Sequence, residues 1–299
     1  MLINRCPLCQ NVNFDIVYIV RNYKVVCCTR CNHYYTFIEQ EIDERELYFT
    51  GDYEKFDSQG TIFEKIIDFE NRRILRIIEK LTEKGKILDF GCGKGKFLKI
   101  FKIAGWGTFG IETSVPRAEY AKKNYNLNID TQLYFQGKIN GGPFDVISLF
   151  HVLEHIADPI NLLKNIIRDN LNDKGILVIE VPNFDSLQSR LAGNNWLHLD
   201  VPRHVNHFTE LRLISVLNEM KFQIIRIEYF SYINGLQGML NSIFNLFGYR
   251  KNIISELKFH RKFSLLLAII LTLPFALIVE ICASIFKKGA IIRVFAHRV

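Results

Sequence analysis

Apolar and polar residues follow two different periods along the middle of the chain, and each period predicts a different element. Short, almost continuous apolar runs predict buried strands, whereas apolar residues spaced three or four apart predict helices. The predicted strands are a run from Lys86 that contains Asp89, then 108–111, 127–130, 144–150, 175–181 and 222–227. The predicted helices are 61–81, 97–101, 115–125, 159–170 and 209–220. This alternation predicts a doubly wound α/β sheet with helices on both faces.

A glycine-rich loop follows the first of these strands. Glycine occupies positions 91, 93 and 95, and the helix-like run 97–101 comes directly after the loop. Glycine lets the backbone turn sharply and approach a ligand, and the N–H groups at the start of a helix face that ligand. The spacing differs from a dinucleotide fingerprint, which would place its third glycine at Lys96. The next strand ends in Glu112, where an acidic residue would bind ribose hydroxyls.

These residues carry a resemblance to a known family. The pattern Asp89-x-Gly91-x-Gly93-x-Gly95, followed by a strand that ends in an acid, resembles the class I S-adenosylmethionine-dependent methyltransferases. The run 144–159, which contains His-Val-Leu-Glu-His, resembles the fourth strand and following loop of the same family. The resemblance implies that S-adenosylmethionine is the cofactor and that Asp89, Gly91, Gly93 and Gly95 shape its loop. It further implies that Glu112 binds the ribose and that Phe150 and His151 border the methionine part.

The same resemblance completes the predicted fold. The apolar run 290–296 suits the antiparallel seventh strand that is typical of this family. The predicted fold class is therefore a seven-stranded Rossmann-like methyltransferase sheet, with its core at 85–230 and its final strand at 290–299. An N-terminal zinc ribbon and an α-helical insertion before the last strand complete the predicted architecture.

Two Cys-x-x-Cys pairs lie near the start of the chain, Cys6 with Cys9 and Cys28 with Cys31. Four thiolates in this arrangement suit tetrahedral Zn²⁺, so residues 1–37 are predicted to form a zinc ribbon. A redox dithiol or a chance pairing is the alternative, and Cys27 would compete with Cys28 as a ligand. Because the segment is only mildly basic, we expect a structural role rather than contact with nucleic acid.

Residues 38–84 are predicted to supply a lid and a packing helix. Positions 38–60 are polar and rich in aromatic residues. In related methyltransferases the segment before the first strand folds over the cofactor, which implies the same role here. The alternative is that these aromatic residues pack the ribbon onto the core. The helix at 61–81 is expected to lie beside the sheet.

An insertion at 231–289 separates the last two predicted strands, and its second half, 263–286, is almost entirely apolar. Glu280 is its single charged residue, and basic residues flank it on both sides. The positive-inside rule then places both flanks on one face of a membrane. Pro274 would break or kink a helix near the middle, so we expect a re-entrant or interfacial helical hairpin. The alternative is a buried helical cap or a homodimer interface in a soluble enzyme.

Histidines supply the candidate general bases. His204 and His207 follow the fifth predicted strand, and His155 follows the fourth, at the sheet edge where open α/β folds bind ligands. An imidazole titrates near neutral pH and can take a proton from a hydroxyl or an activated carbon. We rank His204 first, then His207 and His155. The alternative is that these rings only orient the loop and that proximity drives the reaction.

The charge of the chain and its first residues limit the classes of partner and the location that we expect. The net charge of +7 and the pI near 9.0 favour an acidic partner, which is a membrane surface, a phosphate-bearing substrate or nucleic acid. The loop at 151–155 differs from the Asn-Pro-Pro-Tyr type of loop that receives a flipped base in nucleic-acid methyltransferases. Nucleic acid is therefore not the expected substrate. The first residues have no apolar core of signal-peptide length. The expected location is therefore cytoplasmic, peripheral or monotopic at the inner face of the cell membrane.

Together these features predict an S-adenosylmethionine-dependent methyltransferase. Its expected acceptor is a small molecule, a sugar or a lipid-linked compound of cell-envelope or polysaccharide biosynthesis, methylated at oxygen or carbon. A quinone or lipid methyltransferase is the alternative among enzymes. A cofactor-binding, membrane-associated scaffold without turnover is the alternative outside them.

Overall fold

The structure, a computed structural model, describes residues 1–43, 62–251, 253, 256 and 263–298. The chain divides into two compact units. One unit comprises Met1–Ile42, Val181–Leu213 and Glu228–Ile292, and the other comprises Asp43–Glu180, Ile214–Ile227 and Arg293–Val299. Positions 44–60 of the predicted lid lie outside the described residues.

The secondary structure alternates through the centre of the chain as the apolar periods predict. The strands are β1 (Phe14–Val20), β2 (Tyr23–Cys28), β3 (Tyr34–Phe37), β4 (Lys86–Phe90), β5 (Gly107–Ile111), β6 (Asn128–Asp130), β7 (Phe144–Phe150), β8 (Leu171–Pro182), β9 (Asn206–His207), β10 (Phe222–Glu228) and β11 (Ile291–Arg298). The helices with described bounds are α1 (Ile62–Leu81), α2 (Lys96–Ile103), α3 (Val115–Tyr125), α4 (Pro159–Asn170), α5 (Leu187–Ala192), α6 (Glu210–Glu219), α7 (Asn234–Leu246) and α8 (Phe263–Ile285).

Within the described residues, seven strands form one sheet in the order β10-β11-β8-β7-β4-β5-β6. The pairs from β8 to β6 are parallel. The last strand of the chain, β11, lies between β8 and β10. Strands such as β4 and β7 are nearly continuous apolar runs because helices cover both faces of a parallel sheet. The predicted seven-stranded Rossmann-like fold is confirmed.

The core of this unit forms where the apolar faces of the first helices meet the sheet. Ile74 and Ile78 of α1 belong to one buried cluster with Phe97 and Phe101 of α2 and Val146 of β7. The rings of Phe97 and Phe101 lie 4.7 Å apart, centroid to centroid. This packing fixes the start of α2, and with it the glycine loop that precedes α2.

The described residues also form a four-stranded sheet in the order β1-β2-β3-β9, and all of its pairs are antiparallel. A buried cluster that includes Val26, Tyr35, Ile38 and Val205 lies beside it. The first three strands come from the predicted ribbon. The fourth, β9, comes from the histidine-rich segment after β8, with His207 opposite Tyr34.

The apolar half of the insertion is one continuous helix, so the predicted hairpin with a break at Pro274 is wrong. Pro274 lies inside α8. Leu265 before it and Ala276 after it are buried in the same cluster as Met239 of α7. An internal proline costs about 3 kcal/mol, and packing of both halves against the same neighbour offsets this cost. Within the described part of the chain, α8 alone is long and apolar enough to span a membrane, with a mean hydropathy of 2.7.

Candidate cofactor site and cysteine cluster

The glycine loop folds back onto the end of β5. The backbone N–H groups of Gly91 and Cys92 donate to the carbonyl oxygen of Ile111, at 2.8 and 3.0 Å. Gly93 has a φ of +54°, which favours glycine, and no atom of another described residue, its two chain neighbours aside, lies within 4 Å of the position that a Cβ would take there. The loop therefore leaves open space beside its own backbone.

Glu112 joins this loop to the start of α3. One carboxylate oxygen accepts the Gly93 N–H and the other accepts the Ser114 N–H, each at 2.8 Å. The carboxylate is buried. Because a carboxylate has about four acceptor positions, two remain for hydroxyl groups of a ligand. Glu112 is thus held rigidly beside the open space at Gly93.

Asp89 lies at the end of β4, directly before the loop. Its Oδ1 accepts the hydroxyl of Ser148, on the neighbouring strand β7, at 2.7 Å. Burial raises the pKa of Asp89 to about 7, the Ser148 hydrogen bond opposes this effect, and the nearby charge of Glu112 adds to it. Since Phe90 is in register with Leu149, Phe150 and His151 follow at the same edge of the sheet as the loop.

His151 is held between two carboxylates. Its Nδ1 lies 3.0 Å from Glu154 Oε1 and its Nε2 lies 2.9 Å from Glu180 Oε1. Burial alone would lower the pKa of His151, but the two hydrogen bonds and the two negative charges outweigh it and raise the pKa to about 10. At neutral pH the ring is therefore an imidazolium ion that donates from both nitrogens.

The ion pairs continue from Glu180 to the last strand and the first helix. Arg293 of β11 donates to Glu180 Oε2 at 2.5 Å and to Glu70 Oε1 at 2.9 Å. The guanidinium lies 6.0 Å from the centre of the Phe150 ring. Sequence reasoning missed Glu70, Glu154, Glu180 and Arg293. The available signal was one charged residue inside each of two apolar runs, a glutamate in 175–181 and an arginine in 290–296.

We expect the protein to lose stability as pH rises from 6.5 to 10, because His151 is protonated in the folded state up to about pH 10. When the pKa of a group is higher in the folded state than in the unfolded state, the group stabilises the fold fully below its unfolded-state pKa, here about 6.5. That contribution then decreases as pH rises and is gone once pH has passed the folded-state pKa, here about 10. The difference between a pKa of 6.5 and one of about 10, at about 1.4 kcal/mol per pH unit, corresponds to a loss on the order of 5 kcal/mol. Urea unfolding from pH 6 to 10 measures it as the difference in slope between the wild type and His151→Asn.

His297→Asn is the matched control for that titration, since the His297 Nδ1 bonds to the carbonyl oxygen of Arg298 rather than to a carboxylate. It should keep the wild-type slope. Equal slopes for the wild type and His151→Asn would contradict the ion-pair interpretation.

The rings of the candidate bases make different hydrogen bonds. His204 Nδ1 lies 2.8 Å from the carbonyl oxygen of His198, so Nδ1 carries the proton and Nε2 the lone pair when the ring is neutral. His207 Nε2 lies 3.0 Å from the hydroxyl of Thr36, which donates its own proton to the His204 carbonyl oxygen. Burial lowers the pKa of His207 well below its usual value. His155 ends a short 3₁₀ turn that begins at Leu153.

The residues around the glycine loop fit a nucleoside ligand. Gly93 leaves space that any side chain would fill, and Glu112 has acceptor capacity for ribose hydroxyls. The first N–H groups of α2 face the loop, and Gly95, which precedes α2, has a φ of +72°. These features match the cofactor type that the family resemblance implies.

The four cysteines of the two Cys-x-x-Cys pairs converge. Cys6 Sγ lies 3.5 Å from Cys31 Sγ, Cys9 Sγ lies 3.5 Å from Cys28 Sγ, and all four sulfur atoms lie within 4.8 Å of one another. Tetrahedral zinc with Zn–S bonds of about 2.3 Å separates its sulfur ligands by about 3.8 Å. The donor set and its spacing therefore fit one zinc ion.

The sheet order and the glycine loop define a Rossmann-like methyltransferase fold. The family model described as "Methyltransferase domain" matches residues 61–227, which is more than half of the chain. The chain therefore belongs to the methyltransferase domain family, and the predicted membership is confirmed.

Curated relatives share the core only. The ubiquinone biosynthesis O-methyltransferase of Histophilus somni is 34% identical over 113 residues, which are 34% of this chain and 47% of that protein. The protein of the same name from Coxiella burnetii is 30% identical over 139 residues, 44% of this chain and 58% of that protein. The chain spans about half the length of the curated relatives it matches.

Solved structures share the fold at low identity. The plantazolicin methyltransferase BpumL, in complex with a triazolic analog and SAH, has a TM-score of 0.51 and 17% identity, over 85% of this chain and 93% of that chain. An S-adenosylmethionine-dependent methyltransferase from Clostridium acetobutylicum has a TM-score of 0.50 and 12% identity, over 78% and 92%. At these identities the likeness concerns the fold alone.

Proposed function

We propose that this protein transfers a methyl group from S-adenosylmethionine to a small-molecule, sugar or lipid-linked acceptor. The observation that carries the proposal is the open space at Gly93 beside the doubly hydrogen-bonded carboxylate of Glu112. When bound, the cofactor supplies an electrophilic methyl group on a sulfonium. The glycine loop and Glu112 would hold the cofactor, and a base of this chain would take the proton that the acceptor oxygen or carbon loses on methylation.

The proposed setting is cell-envelope or polysaccharide biosynthesis, at the cytoplasmic face of the cell membrane. The basic net charge, the cysteine module and the apolar helix α8 together support an acidic, membrane-linked acceptor. A quinone acceptor is the second candidate, because the curated relatives described above carry the name ubiquinone biosynthesis O-methyltransferase.

The experiment is to incubate the zinc-loaded protein with methyl-labelled S-adenosylmethionine and three separate pools: nucleotide sugars, lipid-extracted saccharides and catechol quinone precursors. Label in a saccharide pool supports the proposed setting. Label only in the quinone precursors replaces it with the second candidate. Tight cofactor binding without label in any pool would favour the non-catalytic scaffold and overturn the proposal.

We propose that Cys6, Cys9, Cys28 and Cys31 hold one structural Zn²⁺. The four thiols fill a tetrahedral shell, and a closed shell of this kind leaves no position for substrate. The metal would therefore stabilise the sheet that β1, β2 and β3 form, and take no part in methyl transfer.

We propose His204 as the general base ahead of His207 and His155. The Nδ1–H of His204 donates to a carbonyl, which leaves the basic lone pair on Nε2 in the neutral ring. His207 has a lowered pKa and bonds to Thr36 through Nε2, so it is the weaker proton acceptor.

His204→Asn separates the two functions of that ring. The Asn amide N–H takes the place of Nδ1–H toward the His198 carbonyl, whereas no group replaces the Nε2 lone pair. We expect turnover to fall by about 10²–10⁴, with the Kd for S-adenosylhomocysteine unchanged. Full turnover in His204→Asn would remove this residue as the base.

A further inference from the structure

Helix α8 presents a broad apolar surface to solvent. Only 17% of its most apolar stretch is buried. Leu271 and Phe275 are 72% and 59% exposed, and Leu266, Ile270, Ile278 and Ile285 are exposed as well. Soluble monomers rarely expose a contiguous apolar patch of this kind unless it binds a protein or a membrane.

The opposite side of α8 is anchored to protein along its length. Leu265, Ala276, Glu280 and Ala283 are buried. Glu280, the only charge in the helix, accepts the Gln188 side-chain N–H at 2.7 Å and the Ala290 backbone N–H at 2.8 Å. These buried residues form one stripe along α8. If α8 spanned a membrane, the stripe would have to leave the protein and the Glu280 carboxylate would be exposed to hydrocarbon, which is costly. The anchored stripe therefore favours a helix that stays on the protein surface.

The charge next to α8 favours one class of partner for the exposed side of this helix. Between 250 and 262 the sequence has five basic residues and one acidic residue, a net charge of +4. At the other end of α8, Lys287 lies 3.6 Å from a Glu210 carboxylate oxygen and Lys288 pairs with Asp185. The excess positive charge therefore precedes α8, and two copies packed in parallel through α8 would bring these like charges together. A bilayer with anionic headgroups complements the positive charge of this segment.

We propose that the exposed side of α8 lies on the surface of an anionic bilayer, with the helix axis in the plane of the membrane. The apolar side chains enter the boundary between headgroups and acyl chains, and the stripe around Glu280 remains on the protein. The inference deepens the proposed membrane setting by naming its surface. It does not depend on methyl transfer, because vesicle binding is measured without cofactor.

The test is sedimentation of the full-length protein with vesicles of phosphatidylcholine alone or mixed with phosphatidylglycerol. We expect binding that increases with phosphatidylglycerol and weakens with salt. The double variant Leu271→Gln/Ile278→Gln should bind at least about tenfold more weakly, since two apolar side chains no longer leave water.

A matched control is Leu211→Gln/Ile103→Gln. It makes the same two changes at helical residues of similar exposure, 69% and 65%, outside α8. It should bind vesicles as the wild type does. Wild-type protein that binds neither vesicle overturns the proposal. So does a wild-type dimer that Leu271→Gln/Ile278→Gln converts to a monomer, because a second copy would then cover α8.

A depth measurement tests the orientation. Cys282 is exposed on α8, so it can carry a fluorophore, as can Leu271→Cys in a Cys282→Ser background. An in-plane helix holds both labels at one depth, so spin-labelled lipid should quench them equally. A spanning helix would separate them by about 16 Å along the membrane normal, and unequal quenching of that kind would overturn the in-plane orientation.

Discussion

Replacing Cys28 with serine is expected to remove zinc from the protein and to unfold the sheet that β1, β2 and β3 form. Cys28 is buried and its sulfur lies 3.5 Å from that of Cys9. Binding of structural zinc is worth about 10–16 kcal/mol in small zinc modules, and that free energy is folding free energy. We therefore expect a loss of about 5 kcal/mol or more in the free energy of unfolding. Metal analysis and thermal unfolding of the purified variant measure both effects.

Cys27→Ser is the matched control, because Cys27 is the adjacent residue in the same strand and lies outside the converging set of four. It should retain one zinc per chain and the wild-type melting temperature. A Cys28→Ser protein that still binds one zinc, or a Cys27→Ser protein that loses it, would contradict the assignment of ligands.

Replacing Glu112 with alanine is expected to raise the Kd for S-adenosylhomocysteine by about 100-fold. The change removes the proposed acceptor for ribose hydroxyls and leaves the N–H groups of Gly93 and Ser114 without their carboxylate partner. Hydrogen bonds to a charged group contribute about 1.5–3 kcal/mol each, and about 2.7 kcal/mol corresponds to this change in affinity. Isothermal titration calorimetry measures it directly.

Glu119→Ala provides the comparison for that variant, since Glu119 is a glutamate on the adjacent helix α3 and its partner is the exposed Lys122. Its affinity should equal that of the wild type. If Glu112→Ala also binds with wild-type affinity, the cofactor lies elsewhere.

The repeating core was predictable because strong periodicity determines each element locally. The predicted helices 115–125 and 159–170 coincide with α3 and α4. Each begins at a clear signal, a proline in the first turn, and Asp158 also caps α4 through the Asn161 N–H. The glycine loop was predictable for a similar reason, since its spacing is local.

What sequence reasoning missed depends on contacts between distant residues. The strand β9 is only two residues long and takes its place through pairing with β3, so no local period indicates it. The ion pairs that hold His151 join positions 70, 154, 180 and 293. The predicted break at Pro274 was wrong because the sequence shows the local cost of a proline inside a helix but not the packing of α8 on α7, which offsets that cost.

We propose that the loop at Gly91–Gly95 and Glu112 hold S-adenosylmethionine, whose methyl group goes to an acceptor. The most direct test is release of S-adenosylhomocysteine by the zinc-loaded protein in the presence of a cell-envelope extract, compared with Glu112→Ala. We expect release that requires both the extract and Glu112. Wild-type protein that binds the cofactor tightly and releases none, or equal release by Glu112→Ala, would contradict it.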